Sequence, residues 1–288
     1  MIHVITAENR HLYAPQLWEM YQTRKRHYVD ERGWAELWQF GDAELDDSDD
    51  ERAVYLMDLG SSGELAGFVR IRPTDDHSIL VDKFPYLIDP SLLPLKGAET
   101  WEGARIWADG AVRDVHFAMH RLLTAAAEHI LASGGRRLLA FMDVHNFPHI
   151  ADGALEFKMT GPPAAYRYGV MVGVVHELTE EAVARMRDSL GEPDPVTYVV
   201  EDEDMALHGS LARIQQEVDL ARASDAGAAK LDFATPAKTQ ARINALYARH
   251  DAAVPAGRFA RNLWLGALEL PADAAPTPTG DGESVAQG

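Results

Sequence analysis

The run Trp101-Glu102-Gly103-Ala104-Arg105-Ile106 constrains the fold of this 288-residue chain more than any other stretch. It sets a carboxylate and a guanidinium close together among apolar and small residues, within a segment, 101–112, that reads as a strand. Ionised groups are costly to bury without partners, so a sheet containing this strand must offer counter-charges or a cleft at that point. Glu102 and Arg105 are then either a structural ion pair with each other or members of an active site where pairing tunes the acid. The pattern alone leaves both readings open.

The surrounding segments alternate in type. Leu12, Leu17, Met20, Tyr21 and Tyr28 are spaced as in one or two helices between Asn9 and Val29. Ala53 to Asp58 reads as a buried strand, Ser61-Ser62-Gly63 as a turn, and Leu65 to Ile71 as the second strand of a hairpin with Arg70 near its end. A helix is expected from Arg113 to Ser133, closed by Gly134-Gly135, and strands at Leu138 to Val144, Leu155 to Met159 and Tyr166 to Val175. Helices alternating with a mixed sheet predict an α/β three-layer sandwich. This places one domain at residues 1–192. After Glu192-Pro193-Asp194-Pro195 the composition shifts to alanine and charge, which predicts a helical extension over 193–270 for extra packing or a homodimer contact. The Pro- and Gly-rich residues 271–288 read as a disordered tail.

With 47% hydrophobic residues the chain can build a sizeable core. It has no apolar run near ~20 residues and no leader pattern, so neither a membrane span nor a secretory signal is expected and the chain reads as cytoplasmic. The lack of cysteine excludes disulfides and thiolate nucleophiles. A net charge of -18 argues against nucleic acid as a partner, unless basic residues such as Arg24-Lys25-Arg26-His27 with Arg32, or Arg136-Arg137, form a local patch.

Upstream of Glu102 the chain carries Arg24, Tyr28 and Trp34, then Glu44-Leu45-Asp46-Asp47-Ser48-Asp49, then Gly67-Phe68-Val69-Arg70-Ile71-Arg72-Pro73-Thr74. With Trp101-Glu102 and Arg105, and a turn at Gly161-Pro162-Pro163, this set over about residues 1–190 resembles the LuxI-type acyl-homoserine-lactone synthases of bacterial quorum sensing. Members of that family carry Arg-x3-Phe-x5-Trp, Glu-x-Asp-x-aromatic-Asp, Gly-x-x-Arg-Leu-x-Pro-Thr and Trp-Glu-x-x-Arg. Here Tyr28 keeps the ring of the usual phenylalanine, while Ser48 removes an aromatic and leaves the shape of the acidic loop open.

The resemblance implies a GNAT-like fold whose splayed strands hold an acyl-pantetheine arm, and a cytoplasmic enzyme that acylates S-adenosylmethionine. Lactone closure would then release methylthioadenosine. S-adenosylmethionine is a substrate, and no cofactor is expected. The acyl donor would be a thioester of acyl carrier protein or of coenzyme A, and the chain's negative charge bears against the acidic carrier protein. Attack by the amine requires a general base. The resemblance puts Glu102 in that role, with Asp46 second, and groups Arg70 and Arg105 with them as more architectural members. Arg24, Tyr28, Trp34, Asp46 and Asp49 would bind the sulfonium substrate through carboxylates and aromatic faces. Backbone donors at a strand irregularity would meet the thioester oxyanion.

Composition alone reads Asp46 and Asp49 as a solvated acidic loop, since Asp46, Asp47, Asp49 and Asp50 crowd together. The resemblance implies an acyl pocket lined by Leu138, Leu139, Phe141 and Met142, on a strand where a hydroxyl residue would accompany preference for a 3-oxo group. With no Ser or Thr from Gly134 to Met159, an unsubstituted acyl donor, branched or aromatic, is expected over a 3-oxo one. His145 and His149 have metal-ligand spacing, but Pro148 interrupts the helix that would align them, so no metal is expected. His116 and His120 read as surface or packing residues. Two other readings stand beside the synthase: a GNAT-like N-acyltransferase acting on another amine, and an inactive homologue that binds S-adenosylmethionine.

Overall fold

A computed structural model describes residues 2–37, 39–60, 63–111, 114–146 and 156–200. Its main sheet is assembled, in chain order, from β1 (Ile2–Ile5), β4 (Val54–Leu59), β5 (Leu65–Pro73), β6 (Thr100–Ala108), β7 (Arg137–Asp143), β8 (Lys158–Met159), β9 (Ala164–Tyr166), β10 (Gly169–Glu177) and β11 (Thr197–Val199). Their spatial order is β11-β1-β4-β5-β6-β7-β10-β8, with β9 also on β10. A small hairpin of β2 (Gln39–Phe40) and β3 (Ala43–Glu44) stands apart from it. The expected hairpin is the antiparallel β4–β5 pair. β4 lies in the interior of the sheet, and its side chains are buried from Val54 to Leu59, hence its apolar run from Val54 to Met57, while the buried Asp58 is paired with Arg121 at 3.0 Å.

Helices cover both faces. On one, α1 (Ala14–Arg24) packs Leu17, Met20 and Tyr21 against Tyr55, Met57 and Phe68. On the other, α3 (Val115–Ala132) lays Leu122, Ala125, Ala126 and Ile130 on Val69, Ile71 and Leu138, a stripe at helical spacing, joined by α4 (Glu180–Leu190). α3 starts at Asp114, whose side chain accepts from the Phe117 amide, and ends at Ser133 followed by Gly134 at φ +82°. The short α2 (Ile79–Lys83) sits over Leu139, Met171 and Val175. This is the three-layer α/β sandwich expected from the alternation of elements.

β6 and β7 run parallel but pair only at Thr100–Glu102 against Arg137–Leu139, and beyond that the two strands diverge. The sheet is therefore split at its middle by a V-shaped slot. The extent of the sheet also differs from the expected boundary at 192, because Thr197–Val199 pairs with Ile2–Val4. The expected helical extension past Val200 and the tail at 271–288 lie outside the described residues.

Candidate active site

The slot is flanked by a break in the β5–β6 ladder. Arg70 faces Ala104 and Phe68 faces Trp107, so β6 carries one extra residue, and there Arg105 adopts φ +58°, a left-handed conformation costly for a residue with a Cβ. The bulge turns Arg105 toward α1 and β3. Its guanidinium reaches Glu44 (Nε to Oε2 3.1 Å, Nη2 to Oε1 2.9 Å) and Asp46 (Nη2 to Oδ2 2.9 Å).

Arg24 at the end of α1 and Arg70 on β5 complete the cluster. Arg24 donates Nε to Glu44 at 2.7 Å and both terminal nitrogens to Asp49 at 2.7 and 2.8 Å. Arg70 holds Asp46 at 2.6 and 3.0 Å and reaches Asp49 at 2.8 Å. Arg24, Arg70 and Arg105 thus balance Glu44, Asp46 and Asp49 in a nearly dry setting, where each charge would be costly alone. The guanidiniums outweigh burial and hold all three carboxyls below their ordinary range. Tyr55 donates to Asp49 at 2.9 Å, so Tyr21, 2.8 Å from the Tyr55 oxygen, donates to Tyr55. Asp46 and Asp49 are therefore not a solvated loop: Asp49 is buried, and the turn is fixed by the Asp46 amide on Asp49 and the Ser48 amide on Asp46. Ser48 costs the loop no definition.

Glu102 does not pair with Arg105. It points to α2, where Oε1 accepts from Ser78 Oγ at 3.0 Å and the Leu80 amide at 2.7 Å, and Oε2 accepts from the Ile79 amide at 2.7 Å. Burial raises its pKa, opposed by those hydrogen bonds and by the Arg70 charge. Glu102 thus secures the first turn of α2 and is easier to protonate than an ordinary glutamate.

A cavity of about 410 Å³ fills the slot. Its mouth is lined by Tyr28, Arg32 and Trp34, its sides by the bulge from Gly103 to Ala108 and by α3 from Val115 to Ala126, and its inner end by Ile71, Leu138 and His176. Tyr28 stacks on Trp34 with ring centres 5.4 Å apart, lies under the Arg105 guanidinium, and donates its hydroxyl to the Ile106 carbonyl at 2.8 Å. The stack is thereby fastened to the bulge.

Of the expected site residues, Arg24, Asp46, Asp49, Arg70 and Arg105 come together, Tyr28 and Trp34 line the mouth, and Glu102 stands on the same strand facing α2. Arg24 is wholly buried and so belongs to no surface basic patch. Leu138, Phe141 and Met142 line the cavity, whereas Leu139 alternates to the opposite face and packs beneath α2 with Leu80 and Leu87. His116, expected as a surface or packing residue, is on the cavity wall. Glu44 was given no role, though its place in the acidic motif marks it, and His176 carried no sequence signal within its apolar strand. Among the described residues no group of His, Asp and Glu side chains is arranged to hold a metal ion, and His149 lies outside them. No helix of the described residues is long and apolar enough to cross a membrane.

Residues 8–144 match the autoinducer synthase family. An isovaleryl-homoserine lactone synthase of Bradyrhizobium diazoefficiens is 28% identical over 196 residues, covering 68% of this chain and 88% of that protein. The fold is similar to that of a CoA-dependent acyl-homoserine lactone synthase, BjaI, solved with SAM and isopentyl-CoA. The TM-score is 0.64 at 26% identity, over 76% of this chain and 99% of that one. The acyl-homoserine lactone synthase LasI shares the fold at a TM-score of 0.54 and 19% identity, over 60% of this chain and 87% of that one.

Proposed function

We propose that this chain, whose residues 8–144 belong to the autoinducer synthase family, makes an acyl-homoserine lactone from S-adenosylmethionine and an acyl thioester, releasing methylthioadenosine. The observation that carries this reading is the balanced cluster of three arginines and three carboxylates, joined through Arg105 to the Tyr28–Trp34 stack at the mouth of an apolar slot. The stack offers a π-face to the sulfonium, while the cluster holds the mouth in shape.

Glu102 suits the proton acceptor better than Asp46. A carboxyl whose pKa is raised takes a proton from the substrate ammonium more readily than one held low by three guanidiniums. Because its oxygens face Ser78, Ile79 and Leu80, Glu102 would act through an intervening water. As the amine attacks, the carbonyl oxygen gains charge, and backbone donors freed by the bulge at Arg105–Ile106 would meet it. The tetrahedral intermediate would then collapse, breaking the C–S bond and releasing the donor thiolate, which takes up a proton, and the substrate carboxylate would attack its own γ-carbon, closing the lactone as the C–S bond to methylthioadenosine breaks.

Coenzyme A is the favoured donor. The 26%-identical enzyme is CoA-dependent by name, and a chain of net charge -18 repels an acidic carrier protein. The apolar walls, with no Ser or Thr from β7, favour an acyl group without a 3-oxo substituent. Mass spectrometry of lactones from purified protein given S-adenosylmethionine with acyl-CoA or acyl carrier protein tests the reading, with methylthioadenosine followed in parallel. An acylated amine without methylthioadenosine would mean an N-acyltransferase of another kind. S-adenosylmethionine binding without any product would mean an inactive homologue.

A further inference from the structure

β6 and α3 run antiparallel along the slot, and α3 lines the cavity from Val115 near the mouth to Ala126 at the inner end, a span of about 16 Å at the usual helical rise. At that inner end the walls are Ile71, Gly103, Ala126 and Leu138, and the one polar side chain there among the described residues is His176, set across from Leu138 on β10. An imidazole amid apolar walls is costly unless its nitrogens are used.

One nitrogen is used. His176 Nδ1 lies 2.9 Å from the Glu156 carbonyl oxygen, which can only accept, so Nδ1 carries the proton. The residue is 2% exposed, and burial pulls its pKa down to about 4, so at working pH it is neutral and Nε2 carries a lone pair. Phe157 meets the ring edge-on at 5.4 Å. Among the described residues no donor serves Nε2.

We propose that His176 is a specificity-determining acceptor at the floor of the acyl cavity, and that the preferred acyl group bears a hydroxyl at its far end. The assignment deepens the synthase reading and rests on it. An alkyl or phenyl terminus would leave Nε2 buried without a partner, and a terminal carbonyl would set two acceptors against each other. A hydroxyl donates to Nε2 and loses nothing. Carbon 3 of the acyl chain, close to the reacting carbonyl, is unaffected by this requirement.

The test compares matched donors: omega-hydroxyoctanoyl-CoA with octanoyl-CoA, and para-hydroxyphenylpropanoyl-CoA with phenylpropanoyl-CoA, each with S-adenosylmethionine. Wild-type protein should show kcat/KM at least about tenfold higher for the hydroxylated member of one pair or both. His176→Phe should bring each pair to near parity by improving use of the plain donor, and His176→Gln, which keeps an acceptor oxygen, should retain part of the preference. Wild-type parity, or preference for the plain donors, overturns the proposal and leaves the synthase reading standing. If the phenylalanine variant does not fold, the wild-type ratio decides alone. If only other acyl thioesters, such as isovaleryl-CoA or an acyl carrier protein thioester, give lactone and methylthioadenosine, the proposal is overturned and the synthase reading stands; if no thioester of either kind gives product, both fail.

Discussion

Arg24 and Asp49 meet through two parallel hydrogen bonds, Nη1 to Oδ1 at 2.7 Å and Nη2 to Oδ2 at 2.8 Å, with the guanidinium wholly shielded from solvent. The third nitrogen of the same plane is committed to Glu44. A planar fork fits this geometry, and an ammonium does not.

Arg24→Lys should therefore be far from conservative. Breaking one side of a buried pair leaves charge without compensation, and a loss of about 3 to 5 kcal/mol is expected from urea unfolding. Asp49→Asn should fall in the same range. A change below about 1 kcal/mol in both would mean that the cluster adds little to the fold.

The pH dependence of stability has a definite sign. Glu44, Asp46 and Asp49 have folded pKa values below their unfolded ones, so their contribution is complete above the ordinary carboxyl range and is lost as pH falls through the folded values. Glu102 acts oppositely: its folded pKa is raised, so its contribution is present at acid pH and lost as pH rises through that value. With three groups against one, stability should decline below about pH 5. Urea midpoints measured from neutral to acid pH would show this, and a rise on acidification would contradict it.

Glu102→Gln is expected to reduce acylation at least ~100-fold, since an amide cannot accept the proton. It also puts an N–H where Ser78, Ile79 and Leu80 all donate, so a stability loss of about 1 to 3 kcal/mol should accompany the rate loss. Assays far below the melting temperature separate the two effects. A near-wild-type rate there removes Glu102 as the base.

Trp34→Ala should raise KM for S-adenosylmethionine and leave kcat little changed, by an amount matching a cation–π contribution of roughly 0.5 to 2 kcal/mol. Tyr28 keeps its hydroxyl bond to Ile106 in this variant, so the bulge stays fastened. If only thermal stability moves, Trp34 is a packing residue.

Gly161→Ala tests how the slot is backed. A Cβ at this position would stand 2.6 Å from the Leu87 carbonyl oxygen and 2.9 Å from its carbon, backbone atoms that cannot swing aside. A loss of about 1 to 3 kcal/mol is expected in thermal or urea unfolding. An unchanged midpoint would show that the turn after β8 has room to shift.

Much of this was legible before any coordinates. The hairpin at Val54–Pro73 is marked in the sequence by two apolar runs around Ser61-Ser62-Gly63, and the end of helix α3 by Gly134-Gly135, which are local signals, whereas its Asp114 N-cap emerges only in the structure. The grouping of Arg24, Asp46, Asp49, Arg70 and Arg105 followed from motif resemblance. What escaped depends on contacts between distant segments. β11 is three residues long and is a strand only because β1 lies beside it. Glu102 and Arg105 invite pairing by spacing, yet an extra residue in β6 turns Arg105 to one set of partners while α2 takes Glu102. Leu139 differs from Leu138 only in the face its side chain takes. His176 looks like any strand histidine until Glu156 fixes its proton.

The position of β11 bears on how this fold accepts additions. Four inter-strand steps separate it from β6, so the chain passes Val200 at the sheet edge roughly 19 Å from the slot, taking ~4.8 Å per step. A tag, partner domain or truncation joined after Val200 therefore enters on the side where β1 stands. An insertion beside β8 or β9, by contrast, would press on β10, which pairs with β7 and supplies His176 to the cavity.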